Sequence, residues 1–208
     1  MRLGLVAVAA ILAGACQGAP SAGRHRTVAC LGDSNTMADW PIGPRPRWCE
    51  YAARALPEAT FANHGFGGAT ACEPARLPAG FPWAMPQLAA ARAERPDVVV
   101  AAFGTNDVQV LHAAPATIVA CYRALVAAAA PARVLVATTP PMYPPMPDWE
   151  ADVAAVNAAL HAAFPPEQLI DFHDGFPRAL FLPDGIHLND AGQRERARRV
   201  VAALRRLP

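Results

Sequence analysis

The run Asp97-Val98-Val99-Val100-Ala101-Ala102-Phe103 constrains this chain more than any other feature. Consecutive β-branched residues favour an extended backbone. No polar residue interrupts them, so neither side of the strand is marked for solvent. A strand of that kind is covered on both faces, as in a parallel sheet flanked by helices. The run stops at Gly104-Thr105-Asn106-Asp107, a stretch of turn chemistry.

The rest of the chain fits that setting. Thr27 to Leu31 reads as a first buried strand, closed by Gly32. Arg47 to Leu56 reads as a helix between Pro46 and Pro57, and Thr60 to Asn63 as a short strand entering a glycine-rich loop. Trp83 to Glu94 is a helix ended by Pro96, and Thr117 to Ala130 a helix with Ile118, Tyr122 and Leu125 on one stripe. Arg133 to Thr138 is the next strand, followed by a proline-rich loop from Thr139 to Asp148. Asp148 is placed to cap a helix running through Phe164, with Val153, Val156 and Leu160 on one face. Leu169 to Phe172 is the last strand and Asp190 to Leu207 the closing helix. Five strands alternating with helices imply right-handed parallel crossovers. The expected fold class is α/β: a three-layer α/β/α sandwich around a five-stranded parallel sheet.

The N-terminus has a different character. Met1-Arg2, the apolar run Leu3 to Ala13 and the small residues Ala13-Gly14-Ala15 form a signal-peptide pattern. The apolar run is shorter than the ~20 residues a membrane span needs. We therefore divide the chain into a signal peptide (1–15), a linker (16–25) and one domain (26–208), and expect an exported protein. Cys16 follows directly, so plain secretion or periplasmic release and a lipid-anchored Cys16 both fit. A membrane is expected as a partner only through that anchor. The formal net charge is +1, which gives no argument for nucleic acid. All 18 basic residues are Arg, and the six between Arg194 and Arg206 read as a solvated helix face. A monomer is expected.

Four cysteines remain beyond Cys16. Cys30 and Cys121 lie in apolar or helical stretches and read as small buried hydrophobes. Cys49 and Cys72 flank polar loops and form the candidate disulfide. None shows C-x-x-C spacing, so zinc and thioredoxin-type chemistry are not indicated.

Polar, glycine-containing loops follow three of the strands: Gly32-Asp33-Ser34-Asn35, Asn63-His64-Gly65-Phe66-Gly67-Gly68 and Gly104-Thr105-Asn106-Asp107. The carboxyl ends of parallel strands share one edge, where ligands bind. Asp184-Gly185-Ile186-His187 precedes the last helix and opens on the same edge. A serine hydroxyl needs a base within reach, and the base needs an orienting carboxylate. Asp184 and His187 can supply both to Ser34. The N–H groups of Ser34 and Gly68, with the side-chain amide of Asn106, can hold an oxyanion. Asp33, Asn35, His64, Gly67, Met142 and Tyr143 are candidate pocket residues, and Met146, Trp149, Trp40, Trp48 and Phe81 raise the same question. Asp107 reads as a support for the Asn106 loop.

These four stretches, in this order, resemble the SGNH, or GDSL, hydrolases from about Thr27 to Leu207. The resemblance implies a flavodoxin-like sheet, no metal or cofactor, Ser34 as nucleophile, and Asp184 and His187 as the triad partners. It places the oxyanion groups on Ser34, Gly68 and Asn106, with Gly67 an alternative by one residue. The family often has Ser where this chain has Gly67. The implied activity is cleavage of carboxylic esters through an acyl-enzyme, on small-molecule, polysaccharide or lipid esters. An acyltransferase, a thioesterase or lysophospholipase, and a non-catalytic envelope- or carbohydrate-binding module are the alternatives.

Other histidines compete with His187. His173 stands between Asp171 and Asp174 and is the strongest rival. His25, His112 and His161 read as linker or surface residues. The loop around Gly65 lacks G-x-G-x-x-G and a following Lys, which argues against a phosphate loop.

Overall fold

Residues 25–37, 46–143 and 148–208 are described by the structure, a computed structural model. The signal-peptide pattern, Cys16, Trp40 and Met146 lie outside them, as does the side chain of Asp148. Five strands form one sheet: β1 (Arg26–Gly32), β2 (Ala59–Asn63), β3 (Val98–Ala102), β4 (Arg133–Ala137) and β5 (Leu169–Ile170). Their order is β2-β1-β3-β4-β5 and every pairing is parallel. The expected class and sheet are therefore present. β3 is buried along its whole length, as its unbroken apolar run requires.

The period of two along each strand separates two apolar layers. Ala29, Leu31, Val99, Ala101, Val134 and Val136 face α2 (Ala84–Ala91), α4 (Pro115–Ala129) and α5 (Asp148–Ala163). Val28, Cys30, Val98, Val100, Leu135 and Ala137 face α1 (Trp48–Ala55) and α6 (Asp190–Arg206). Each buried Val or Leu contributes about 1.5–3 kcal/mol, so the two layers hold the frame on which the loops sit. A short helix, α3 (Thr105–Gln109), follows β3 directly and was not expected from the sequence. Five residues are too few to show a helical period.

Two sequence expectations are corrected here. Cys49 and Cys72 are not paired; the disulfides among the described residues are Cys30–Cys49 and Cys72–Cys121. Alternation along β1 turns Cys30 toward α1, where Cys49 is buried, while Cys72 lies on the opposite face against α4. The sheet stands between the pair proposed from loop position. The second correction is in α6. Arg194, Arg198, Arg205 and Arg206 are exposed, but Arg196 is only 2% exposed and belongs to the interior.

Candidate active site

The switch point of the sheet lies between β1 and β3, whose crossovers leave on opposite faces. At the end of β1 the chain turns sharply: the carbonyl of Asp33 accepts the N–H groups of Thr36 and Met37, both at 2.9 Å. The Asp33 carboxylate accepts the N–H of Asn35 at 2.9 Å. Between them, Ser34 is held at the sheet edge. Gln87 of α2 grips Gly32 on both sides, donating to its carbonyl and accepting its N–H, each at 3.0 Å. Trp48 Nε1 donates to Thr36 Oγ1 at 3.1 Å, so α1 also fixes the turn.

The Asp184–His187 loop is stapled to that turn. Asn35 donates Nδ2 to the carbonyl of Ile186 at 3.2 Å and accepts the N–H of Leu188 at 2.8 Å. Ser34 Oγ then lies 3.0 Å from His187 Nε2, and His187 Nδ1 lies 2.8 Å from Asp184 Oδ2. The other Asp184 oxygen accepts the N–H groups of Ile186 and His187, both at 2.9 Å. Burial pushes the Asp184 carboxyl up, but these donors and the imidazole outweigh it and hold the group below its ordinary value. Ionised Asp184 favours the tautomer with the proton on Nδ1, leaving Nε2 as an acceptor toward Ser34.

The glycine loop after β2 and the loop after β3 close the other side. Phe66 N–H donates to the Gly32 carbonyl at 3.0 Å, and Asn63 donates to the Thr36 carbonyl at 2.8 Å. Gly67 and Gly68 now differ. The N–H of Gly67 points to Met37 Sδ at 3.1 Å. Gly68 has φ +79°, a conformation that glycine adopts without strain. Asn106 donates one amide hydrogen to the Ala69 carbonyl at 3.0 Å, which ties the two loops and leaves its second amide hydrogen for another acceptor. Gly104 permits this approach: its φ is +116°, and a Cβ there would collide with Thr139. Asp107 is fully buried and accepts the N–H groups of Ala71 and Cys72 at 2.8 and 3.0 Å. Burial pushes its carboxyl up to about 6 against those two donors.

The remaining candidates divide by burial. Asp33, Asn35 and Met142 are 2%, 1% and 3% exposed, so they underlie the site rather than line its mouth. Tyr143 is 39% exposed, donates its hydroxyl to the Phe176 carbonyl and its N–H to Gly185, and so braces the Asp184–His187 loop. His64 faces Glu94 at 2.9 Å. Trp48 is buried in the α1–α6 layer and Trp149 packs on the opposite one. The Phe81 ring stands 3.7 Å from where a Gly68 Cβ would be. His173 is held by Asp174 at 3.1 Å and Glu150 at 3.0 Å, so carboxylates hold both of its nitrogens. Sequence reasoning missed Gln87 and Gln193. Their signal is a polar residue on an otherwise apolar helix stripe.

The profile of the GDSL-like lipase/acylhydrolase family matches residues 30–195. The chain belongs to this family. It is thus a carboxylic ester hydrolase in the general sense that the family defines. Solved structures share its fold at low identity. A carbohydrate acetylesterase family member from Sinorhizobium meliloti has TM-score 0.70 and 19% identity over 86% of this chain and 97% of its own. The M. smegmatis aryl esterase has TM-score 0.66 and 20% identity over 88% and 100%. A carbohydrate esterase family 3 structure from Talaromyces cellulolyticus has TM-score 0.65 and 21% identity over 86% and 96%. No curated protein matches this chain by sequence.

Proposed function

We propose that this hydrolase cleaves carboxylic esters through an acyl-enzyme on Ser34. The observation that carries the reading is the line Ser34 Oγ, His187 and Asp184, with contacts of 3.0 and 2.8 Å on the two imidazole nitrogens. His187 Nε2 takes the Ser34 proton as Oγ attacks the ester carbonyl. Asp184 keeps the ring oriented and balances the imidazolium. The oxyanion is received by the N–H groups of Ser34 and Gly68 and the second amide hydrogen of Asn106. His187 then returns its proton to the departing alkoxide. In the second half, it draws a proton from water, the hydroxide oxygen displaces Ser34 from the acyl group, and His187 passes that proton to Ser34 Oγ as it leaves.

Two of the similar solved structures are a carbohydrate acetylesterase family member and an aryl esterase, and we extend ester cleavage, not any particular substrate, to this chain. Two disulfides fit an oxidising compartment, so export through the leader 1–15 is part of the proposal. The decisive test is turnover of a chromogenic acetate ester, with a fluorophosphonate probe as the label. Ser34→Ala is expected to lose both turnover and labelling while keeping its thermal transition. Retention of full activity would overturn the assignment.

A further inference from the structure

The Asp184–His187 pair sits in a short hairpin whose two arms are held by different means. Downstream, Leu188 is anchored from the core: Asn35 accepts its N–H at 2.8 Å, and the buried Gln193 of α6 donates to the Asn35 carbonyl at 3.1 Å and accepts the Trp48 N–H at 3.0 Å. Upstream, the chain passes through a single 3₁₀ turn, Arg178–Leu180, into Phe181, which pairs with Leu188 in an antiparallel bridge. Phe176, Phe181 and Leu188 form an apolar cluster of their own under the hairpin. Leu182 N–H donates to the His187 carbonyl at 2.7 Å, and Gly185 N–H donates to the Leu182 carbonyl at 3.0 Å. Leu182 therefore stands directly across the hairpin from His187.

Three successive carbonyls of the upstream arm converge on one side chain. Arg178 Nη1 donates to the Leu182 carbonyl at 2.7 Å and to the Phe181 carbonyl at 3.4 Å, and Nη2 donates to the Pro183 carbonyl at 2.8 Å. Carbonyl dipoles gathered on one side repel one another, and a cation among them offsets that repulsion. Hydrogen bonds from an ionised donor are also stronger than neutral ones. The guanidinium presents its donors as a rigid planar fork, so it spans groups that a lysine ammonium, a single point of charge, does not bridge together. Pro183 directly precedes Asp184, and Leu182 is bonded to His187. The fork is thus one peptide unit from Asp184 and one hydrogen-bonded pairing from His187.

We propose that Arg178 is a positioning residue: by gathering the carbonyls of Phe181, Leu182 and Pro183, its guanidinium fixes the arm from which Asp184 and His187 face Ser34. The proposal rests on the reading that His187 is the base for Ser34. Arg178 is itself exposed, so replacing it leaves the two apolar layers intact. The experiment compares Arg178→Met and Arg178→Lys with the wild-type full chain in two readouts. One is turnover of 4-nitrophenyl acetate; the other is the downfield proton resonance of the His187 imidazole N–H held by Asp184, assigned by its loss in His187→Ala. Arg178→Met is expected to lower kcat by about 10- to 100-fold, the scale of a reacting group displaced by about 1 Å, with KM within about twofold. Its imidazole resonance should broaden through faster exchange with water. Arg178→Lys keeps the charge without the fork and should lie between Arg178→Met and wild type.

In an active chain both readouts move together. A wild-type kcat in Arg178→Met overturns the proposal, and so does a lowered kcat with an unchanged resonance, because the residue would then act by some route other than the pair. A rise in KM alone would make Arg178 a substrate contact and also overturns it. A wild-type chain that lacks the resonance overturns it as well. If Arg178→Met does not fold, Arg178→Lys decides by the same two readouts, and wild-type values there overturn the role of the fork. The resonance needs no turnover. A wild-type chain inert on every ester therefore sinks the hydrolytic reading, while the resonance in the variants still decides the role of Arg178.

Discussion

Two histidines of this hydrolase sit among carboxylates in similarly shielded positions, with side chains 19% exposed at His187 and 23% at His173. His173 has the richer acidic surroundings, since Asp174 and Glu150 hold its two nitrogens. His187 binds the Asp184 carboxylate through Nδ1 and presents Nε2 to Ser34. On the proposed reading, with His187 as the base, acidic neighbours alone do not make a general base. A base needs one nitrogen oriented and the other directed at a proton it can take. His173 is a clamp by the same argument. Glu150 also accepts the Met142 N–H at 2.9 Å, so the clamp joins α5 to the loops after β4 and β5.

The sharpest way to break the contrast is to remove each ring. His187→Ala and Ser34→Ala are expected to lower kcat by at least about 10³-fold in ester turnover assays. His173→Ala should stay within about threefold, because it holds no reacting atom. The reverse ranking would exchange the two roles. The carboxylates give the next largest difference. Asp184→Asn is expected to lower kcat by about 10²- to 10⁴-fold, since an amide no longer favours the required tautomer. Asp174→Asn should leave kcat near wild type. On the other side of Ser34, Asn106→Ala should lower kcat by about 10²- to 10³-fold with little change in KM, the signature of a donor used in the transition state. A rise in KM with kcat unchanged would instead make Asn106 a ground-state contact.

The layered sheet and the four site loops were legible in the sequence because each depends on local pattern. The Val98–Val100 run marks a strand covered on both sides, and the glycine-bearing loops follow strand ends that must share an edge. The disulfides were not legible from loop position. Their partners depend on which helix covers which face, a fact set by the crossovers and not by nearby residues. Arg196 was obscured for a related reason. Six arginines in thirteen residues resemble a solvated face, and only the helix phase shared with Gln193, Val200 and Leu204 turns this one inward. Asn35 was visible as a polar neighbour of Ser34. Its role as a staple required knowing that the Asp184–His187 loop lies against it, 153 residues away in sequence.

The smallest expected effect separates the two histidines by stability. Burial alone would lower the His173 pKa, but its hydrogen bonds and charge interactions with Asp174 and Glu150 outweigh that and raise it. A histidine with a raised folded pKa binds protons more tightly when folded. Its contribution is complete below the unfolded value of ~6.5 and disappears as pH rises through the higher folded value. His173→Gln should therefore unfold at a lower temperature than wild type near pH 5.5, and the gap should close toward pH 9. The partners are substantially exposed, 44% for Glu150 and 87% for Asp174, so the gap should be small and should narrow in added salt. Calorimetric scans at several pH values read this directly. A gap that widens as pH rises would mean that His173 is held as the neutral ring, and the clamp would then be a hydrogen-bonded contact without its charge.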